Sequence, residues 1–270
     1  MTLVQASIAN NGKTVIILAD RLLTRSFGDD FPSYEFEGNS PKIISRGDVG
    51  IGFAGSALYA DMATSQLSPS ISDFDEIVDN ISRLIKDTRN STIEGEVSRI
   101  TGNSAKDFFS NYQIVPEEVG GYIYGWLMEF RLNFECIVAG FDKDKDAKIV
   151  YITEEGSTIS ATNFGVGSIG SGSLFSQIYF DQYNYKISMS EIESLFFAYK
   201  AKKWAEAPTG VGLKTDIILF RKDDAKVKIR DEDVLMSEIN KKYEEEKQRN
   251  SEIRTELLKQ LIESNLEELR

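Results

Sequence analysis

Thr2-Leu3-Val4-Gln5-Ala6-Ser7-Ile8-Ala9 and Thr14-Val15-Ile16-Ile17-Leu18-Ala19, joined by Asn10-Asn11-Gly12-Lys13, are the residues on which the fold turns. They read as two strand-like runs around an Asn-Gly turn, a strong short-range signal for a β-hairpin. Thr2 opens the first run, so a sheet is expected to hold it more rigidly than a frayed terminus would. Met1 ahead of so small a residue is expected to be trimmed, leaving an α-amine and a hydroxyl on one residue. Such an amine titrates at about 7.7 to 8.0 and accepts the proton of an adjacent hydroxyl, which makes a nucleophile and its base in one residue. Most chains beginning Met-Thr use the threonine for nothing, so the dipeptide counts only if the remainder of the chain is built to serve it.

Composition narrows the alternatives. The 270 residues suffice for one sizeable core, or one domain with an appendage, at roughly 100 to 200 residues per domain. An apolar content of 41% with 11% aromatics is that of a globular chain. No apolar run reaches membrane-spanning length, and no basic segment followed by a hydrophobic one stands at the start. A cytoplasmic protein with no membrane contact is expected. The formal charge of -12 repels phosphate backbones and argues against nucleic acid as a partner. The single cysteine, Cys136, excludes an intrachain disulfide, and its apolar neighbours Phe134 to Phe141 suggest a core thiol. Histidine is absent. That removes the Ser-His-Asp and Cys-His systems and the usual imidazole-containing zinc sites. A hydrolase of this composition working without metal needs a carboxylate, a lysine or a terminal amine as base, and the last option returns to Thr2.

Beyond the hairpin, Ala19-Asp20-Arg21-Leu22-Leu23-Thr24 leaves the strand with two charges. A loop rich in Gly, Asp and aromatics, Phe27 to Ser40, leads to Pro41-Lys42-Ile43-Ile44. Gly50-Ile51-Gly52-Phe53-Ala54-Gly55-Ser56 reads as a strand that ends where a helix starts, with Ser56 as its N-cap. Gly55 at that junction is either a packing glycine or a position whose N–H can face an anion. Residues 56–67 and 73–88 read as amphipathic helices, the second on Phe74, Ile77, Ile81, Leu84 and Ile85. Residues 91–116 are polar, with little period, and read as a surface insertion; Tyr122 to Phe130 resumes a helix-like pattern.

Glu135 to Phe141 and Lys148 to Thr153 read as strands joined by Asp142-Lys143-Asp144-Lys145-Asp146. The alternating aspartates superficially resemble a calcium loop. Its sixth position is Ala147 and its twelfth Thr153, so a hairpin turn is expected and no metal site. Gly165-Val166-Gly167-Ser168-Ile169-Gly170-Ser171-Gly172-Ser173 lacks the Gly-Lys-Ser/Thr ending of a P-loop; close backbone approach and hydroxyl supply are its expected uses. Ser190 and Glu193 form a capping box, predicting a helix over about 190–206 that Pro208-Thr209-Gly210-Val211-Gly212 breaks. Thr215 to Phe220 is a further strand. From Asp231 onward there are 12 acidic and 7 basic residues with no Gly or Pro, which predicts a long helix solvated in its middle. Ile253, Leu257, Leu261 and Ile262 form an apolar stripe near its end, facing either the domain or another subunit. Strand pairs alternating with helix pairs indicate an α+β layered fold with antiparallel sheets.

Thr2, Ala19-Asp20-Arg21 with Thr24, Pro41-Lys42-Ile43, Ile51-Gly52-Phe53-Ala54-Gly55, Cys136-Ile137-Val138-Ala139-Gly140-Phe141-Asp142 and Ile169-Gly170-Ser171-Gly172-Ser173 occur in that order. The ordered set resembles the successive motifs of proteasome β-type subunits and their bacterial relatives, N-terminal nucleophile hydrolases of four-layer αββα fold, over roughly residues 2–225. The resemblance implies Thr2 as nucleophile and its α-amine as base, with Lys42 beside the hydroxyl and paired to Asp20. It implies Gly55 N–H at the oxyanion, Ser171 managing the proton on the amine, and Thr24 pairing with an extended peptide. No cofactor or metal is implied. The acidic residue that the family places after the penultimate helix has only Glu206 as a loose counterpart, and Pro208-Thr209 intervenes. No propeptide is expected to shield the threonine, and the chain reads as a divergent member: residues 1–230 the hydrolase domain with an insertion near 91–116, residues 231–270 a charged helical extension.

The expected activity is that of a threonine-type peptidase acting through an acyl-enzyme ester on a peptide or unfolded protein. A transpeptidase or ligase would use the same nucleophile with an amine as acceptor, as in archaeal ligases related to proteasomes. A catalytically silent scaffold subunit would have no need to keep Thr2, Asp20 and Lys42 together. The resemblance also implies a homo-oligomer, of ring type in the family, to which an ATPase partner can be coupled.

Overall fold

A computed structural model describes residues 2–25, 34–37, 41–111 and 115–268. Most of the loop Phe27 to Ser40 lies outside them. The chain divides into two compact units, Met1–Lys228 and Ile229–Arg270.

In the first unit the opening runs form β1 (Val4–Ala9) and β2 (Thr14–Asp20), antiparallel, with Val4 opposite Ala19 and Ile8 opposite Val15. The hairpin is the expected one, but its connection is a turn of 3-10 helix, Asn10–Gly12, in which Asn10, Asn11 and Gly12 all have positive φ. Asparagine and glycine tolerate that region, which is why this short sequence can reverse the chain. Thr2 precedes the strand instead of opening it. β1 and β2 are the second and third strands of a five-stranded sheet completed by β10 (Val166–Ile169), β11 (Thr215–Arg221) and β12 (Asp224–Ile229), in the order β10-β1-β2-β11-β12. A second antiparallel sheet of five, in sequential order, contains β5 (Ile43–Arg46), β6 (Val49–Gly55), β7 (Phe134–Phe141), β8 (Ala147–Ile152) and β9 (Thr158–Ser160). β3 (Leu22–Arg25) and β4 (Tyr34–Glu37) pair separately.

The two large sheets pack face to face. Val4, Ala6, Ile8, Val15, Ile17 and Ile218 of one meet Ile43, Ala54, Ile137, Ala139, Phe141 and Ile149 of the other in a single core. Alternate side chains on a strand point to opposite faces, so Val49, Ile51, Phe53, Phe134, Cys136 and Val138 point outward from the second sheet. There they meet α1 (Ala57–Gln66) and α2 (Phe74–Thr101) through Ala63, Leu67, Phe74, Ile77, Ile81 and Ile85. The outer face of the first sheet packs on α5 (Ser173–Gln182) and α6 (Glu191–Thr209), where Leu3, Ala205, Val211 and Phe175 cluster. Sheets covered on both faces explain why the strand sequences read as near-continuous apolar runs. The fold is therefore mixed α+β built on antiparallel sheets. Cys136 is buried as expected, and burial pushes its thiol pKa up.

The helices differ from the sequence reading in extent. α2 starts where expected, with Asp73 accepting the Glu76 N–H at 3.0 Å, but runs on to Thr101 and ends at Gly102 in the left-handed region. The residues expected as a polar surface insertion are thus largely helical, in the end of α2 and in α3 (Ala105–Ser110), just before α4 (Glu117–Glu129). Val97, Phe108 and Ile123 form a small core of their own there. Ile93, Val97 and Ile100 recur there at helical spacing, a thin stripe set among mostly polar residues. The capping box at Ser190 and Glu193 is present, and α6 continues three residues past the expected end, through Pro208, to a left-handed cap at Gly210. Proline cannot donate the i→i−4 bond at its position, a loss of one bond in the last turn. The second unit carries α7 (Val234–Glu268), a helix of 35 residues, about 52 Å long at 1.5 Å per residue. Lys242 pairs with Glu245 at 2.8 Å on its surface, and Ile253, Leu257 and Ile262 are exposed.

Ile137 is fully buried between the sheets. Ile137→Ala is expected to lower the unfolding free energy by about 2–5 kcal/mol in denaturant titrations. The same substitution should speed labelling of Cys136 by a thiol reagent under native conditions, since labelling then requires an opening that has become less costly.

Candidate functional site

At one end of the two sheets the strand termini bring sequence-distant residues together. Pairing of Val4 with Ile169 sets Thr2 beside the turn that links β10 to α5. There the Thr2 carbonyl accepts the Gly172 N–H at 3.1 Å, and the Thr2 nitrogen donates to Ser171 Oγ at 3.1 Å. With Met1 attached this nitrogen is a peptide N–H, standing where the α-amine would be after cleavage of the Met1–Thr2 bond. Gly170 makes the approach possible. Its φ is +87°, and a Cβ there would lie 2.4 Å from the Thr2 oxygen. Close backbone approach and a hydroxyl, the two expected uses of this glycine-serine loop, are both realised.

Asp20 ends β2 with a side chain wholly removed from water. Its Oδ1 accepts from Lys42 Nζ and from the Leu3 N–H, each at 2.8 Å, and its Oδ2 accepts the N–H groups of Leu22 and Gly212, each at 3.0 Å. A buried carboxylate is costly unless so satisfied. Lys42 lies just before β5, and its Nζ also donates to Thr2 Oγ1 at 2.9 Å. Burial pushes the Lys42 pKa below the ordinary 10.5, while the charge of Asp20 and the hydrogen bond to it pull the other way. The neighbouring Arg21 turns to a separate partner and forms a fork with Asp216.

Gly55 closes β6 at φ +95°, and a Cβ on it would stand 1.9 Å from the Asn133 oxygen. No other residue fits this strand-to-helix corner without moving backbone. Ser56 takes the N-cap position of α1 but makes no side-chain capping bond there, which departs from the expected role. Thr2, Lys42, Gly55, Ser56 and Ser171 line one cavity of about 1500 Å³. The structure thus gathers Thr2, Asp20, Lys42, Ser171 and Gly55. Thr24 belongs to a different element, the β3–β4 ladder, in register with Glu35.

One residue escaped the sequence reading. Glu135, the exposed residue of an otherwise buried β7, lines the same cavity and accepts the Gly170 N–H at 2.9 Å, bracing the turn that carries Ser171. An exposed residue within an apolar strand was its only signal. Glu206, the loose acidic candidate, is engaged by Lys203 at 3.1 Å and by the buried Lys202. Compared with known proteins, the chain matches no family model and no curated protein.

The geometry can lower the cost of forming a threonine alkoxide, because a buried ammonium anchored on a buried carboxylate touches the hydroxyl. Two outcomes are expected. Lys42 should titrate at lower pH than exposed lysines in NMR of ¹³C-labelled lysine. The folded pKa being the depressed one, its contribution to stability is present above 10.5 and is lost as pH falls through the folded value; Lys42→Met should abolish that slope. Gly55→Ala should cost at least about 1–3 kcal/mol in thermal or denaturant unfolding.

Proposed function

We propose that this chain is a threonine-type peptidase of the proteasome β-type, N-terminal nucleophile class, with Thr2 as nucleophile. One observation carries the reading: Lys42 Nζ is bonded to both Thr2 Oγ1 at 2.9 Å and Asp20 Oδ1 at 2.8 Å, with Ser171 Oγ on the Thr2 nitrogen. The order of layers, helices outside two facing sheets, supports the four-layer αββα form of the fold.

Cleavage of the Met1–Thr2 bond frees the α-amine. The amine takes the hydroxyl proton, and Oγ1 attacks the carbonyl carbon of a peptide. Lys42 holds down the charge on the oxygen as the proton leaves, and the Gly55 N–H meets the oxyanion that forms on the carbonyl. As the C–N bond breaks, the amine returns its proton to the leaving nitrogen, so charge and protons balance. An ester to Thr2 remains. Water, deprotonated by the same amine, then attacks the ester and restores the hydroxyl. The cavity is large enough for several residues of extended substrate, whose backbone would pair alongside Thr24. Homo-oligomeric assembly that sequesters the cavity belongs to the same proposal.

The test is the intact mass of the purified protein before and after incubation with an epoxyketone, which needs both hydroxyl and amine on one residue. Loss of Met1 and a single adduct are expected, with no adduct on Thr2→Ala. Lys42→Met should slow adduct formation by roughly 10²–10³-fold. Met1 retained together with no adduct would instead identify a catalytically silent subunit. Product masses with and without an added amine acceptor distinguish hydrolysis from acyl transfer.

A further inference from the structure

A second buried lysine lies within electrostatic reach of Asp20. Lys202 projects from α6, its side chain wholly removed from water. Its Nζ is ion-paired with Glu206 and donates to the Leu213 carbonyl at 2.7 Å. Leu213 follows Gly212, whose N–H donates to Asp20 Oδ2 at 3.0 Å. An unbroken chain of contacts therefore runs from Lys202 through the segment between α6 and β11 to Asp20, and on through Lys42 to the Thr2 hydroxyl.

We infer that Lys202 is a positioning residue for the Thr2 site, fixing the 210–213 segment against Asp20 and setting the charge that Lys42 feels. The inference rests on the proposed reading of Thr2 as nucleophile. Two physical arguments support it. The first is geometric. Asp20 has four donors, and three come from its own strand's exit or from the elements next to it: Leu3, Leu22 and Lys42. The fourth, Gly212, lies in a connecting segment between Gly210, which caps α6, and β11. The Lys202 bond to the next residue's carbonyl holds that segment from the helix side.

The second argument is electrostatic. Asp20 is paired with the buried Lys42, and the buried Lys202 is within electrostatic reach of it. The charged groups concerned are Asp20 facing Lys42 from β2, and Glu206, Lys203 and Asp20 facing Lys202. A second cation near the carboxylate offsets part of its charge and weakens its hold on the Lys42 proton. Burial pushes both lysines below their ordinary range. An ammonium less firmly held by Asp20 is the better partner for a threonine oxygen that must gain and lose a proton. Glu206 keeps Lys202 charged in a dry site, and that is its role in place of contact with Thr2.

The test replaces both charges. K202M/E206L keeps the bulk of each side chain and removes the buried Lys202–Glu206 pair together, a change that buried pairs tolerate, while parting Lys203 from Glu206. K202Q keeps an N–H donor for the Leu213 carbonyl without the charge, and decides the matter should the double variant not fold. Two quantities are read on each: the rate of epoxyketone adduct formation at Thr2, and the pH at which the ¹³C-labelled Lys42 side chain titrates. K202M/E206L is expected to slow adduct formation at least about tenfold, with the half-saturating epoxyketone concentration unchanged and Lys42 titrating at higher pH than in the wild type. K202Q should show the same upward titration with a smaller loss of rate, because the bond to Leu213 survives. A folded variant whose Lys42 titrates at the wild-type pH, with adduct formed at the wild-type rate, would reduce the pair to a helix-to-loop strut and overturn the inference. A wild type that forms no adduct, in which the variants nonetheless move the Lys42 titration, would sink the nucleophile reading while upholding the coupling.

Discussion

The carboxylate of Asp20 is the constraint to which the rest of the structure answers. A charge removed from water costs several kcal/mol unless its lone pairs are filled and a counter-charge stands beside it. Asp20 meets that demand with four donors from Leu3, Leu22, Lys42 and Gly212. Those residues lie on the approach to β1, at the start of β3, ahead of β5 and ahead of β11. Satisfying one buried group therefore fixes how four chain segments meet, and the meeting place is the end of the sheets where Thr2 sits.

The layers make this burial possible. Both large sheets are covered on two faces, so strand interiors are mostly apolar, with buried exceptions such as Gln5, which bonds to Ser176 and the Ala198 carbonyl, while the charged cluster gathers at the strand ends. At those ends two glycines remove the side chain that would otherwise keep segments apart: Gly170 beside the Thr2 carbonyl and Gly55 beside the Asn133 carbonyl. Close approach there shortens the path between Lys42, Thr2 and Ser171 to direct hydrogen bonds. The proposed chemistry depends on that rigidity, since a nucleophile and its proton partners lose rate steeply when misplaced.

Features set by neighbours in sequence were legible. The β1–β2 hairpin follows from apolar runs around residues that tolerate positive φ, and the start of α6 follows from the Ser190–Glu193 capping box. Others depended on contacts made late in the chain. α2 runs to Thr101 as Ile93, Val97 and Ile100, a sparse stripe at helical spacing, pack with Phe108 and Ile123, contacts that only the folded chain supplies. Thr2 is expected to open a strand; it lies just before one and is held by Gly172 and Ser171, residues of the turn that follows β10.

The sequence by itself determined the kinds of chemistry open to this protein: no histidine and one apolar-flanked cysteine, with a threonine, an aspartate, a lysine and a serine in an order suited to one site. Only the tertiary structure decided which charges are buried. Lys202 and Glu206, four residues apart on a helix, have the spacing of an ordinary solvated pair, and Lys242 with Glu245 on α7 is one. Lys202 is instead wholly buried where α6 packs over the first sheet. Spacing along a helix is a local property, but the dielectric around a charge is set by whatever distant parts of the chain pack over it.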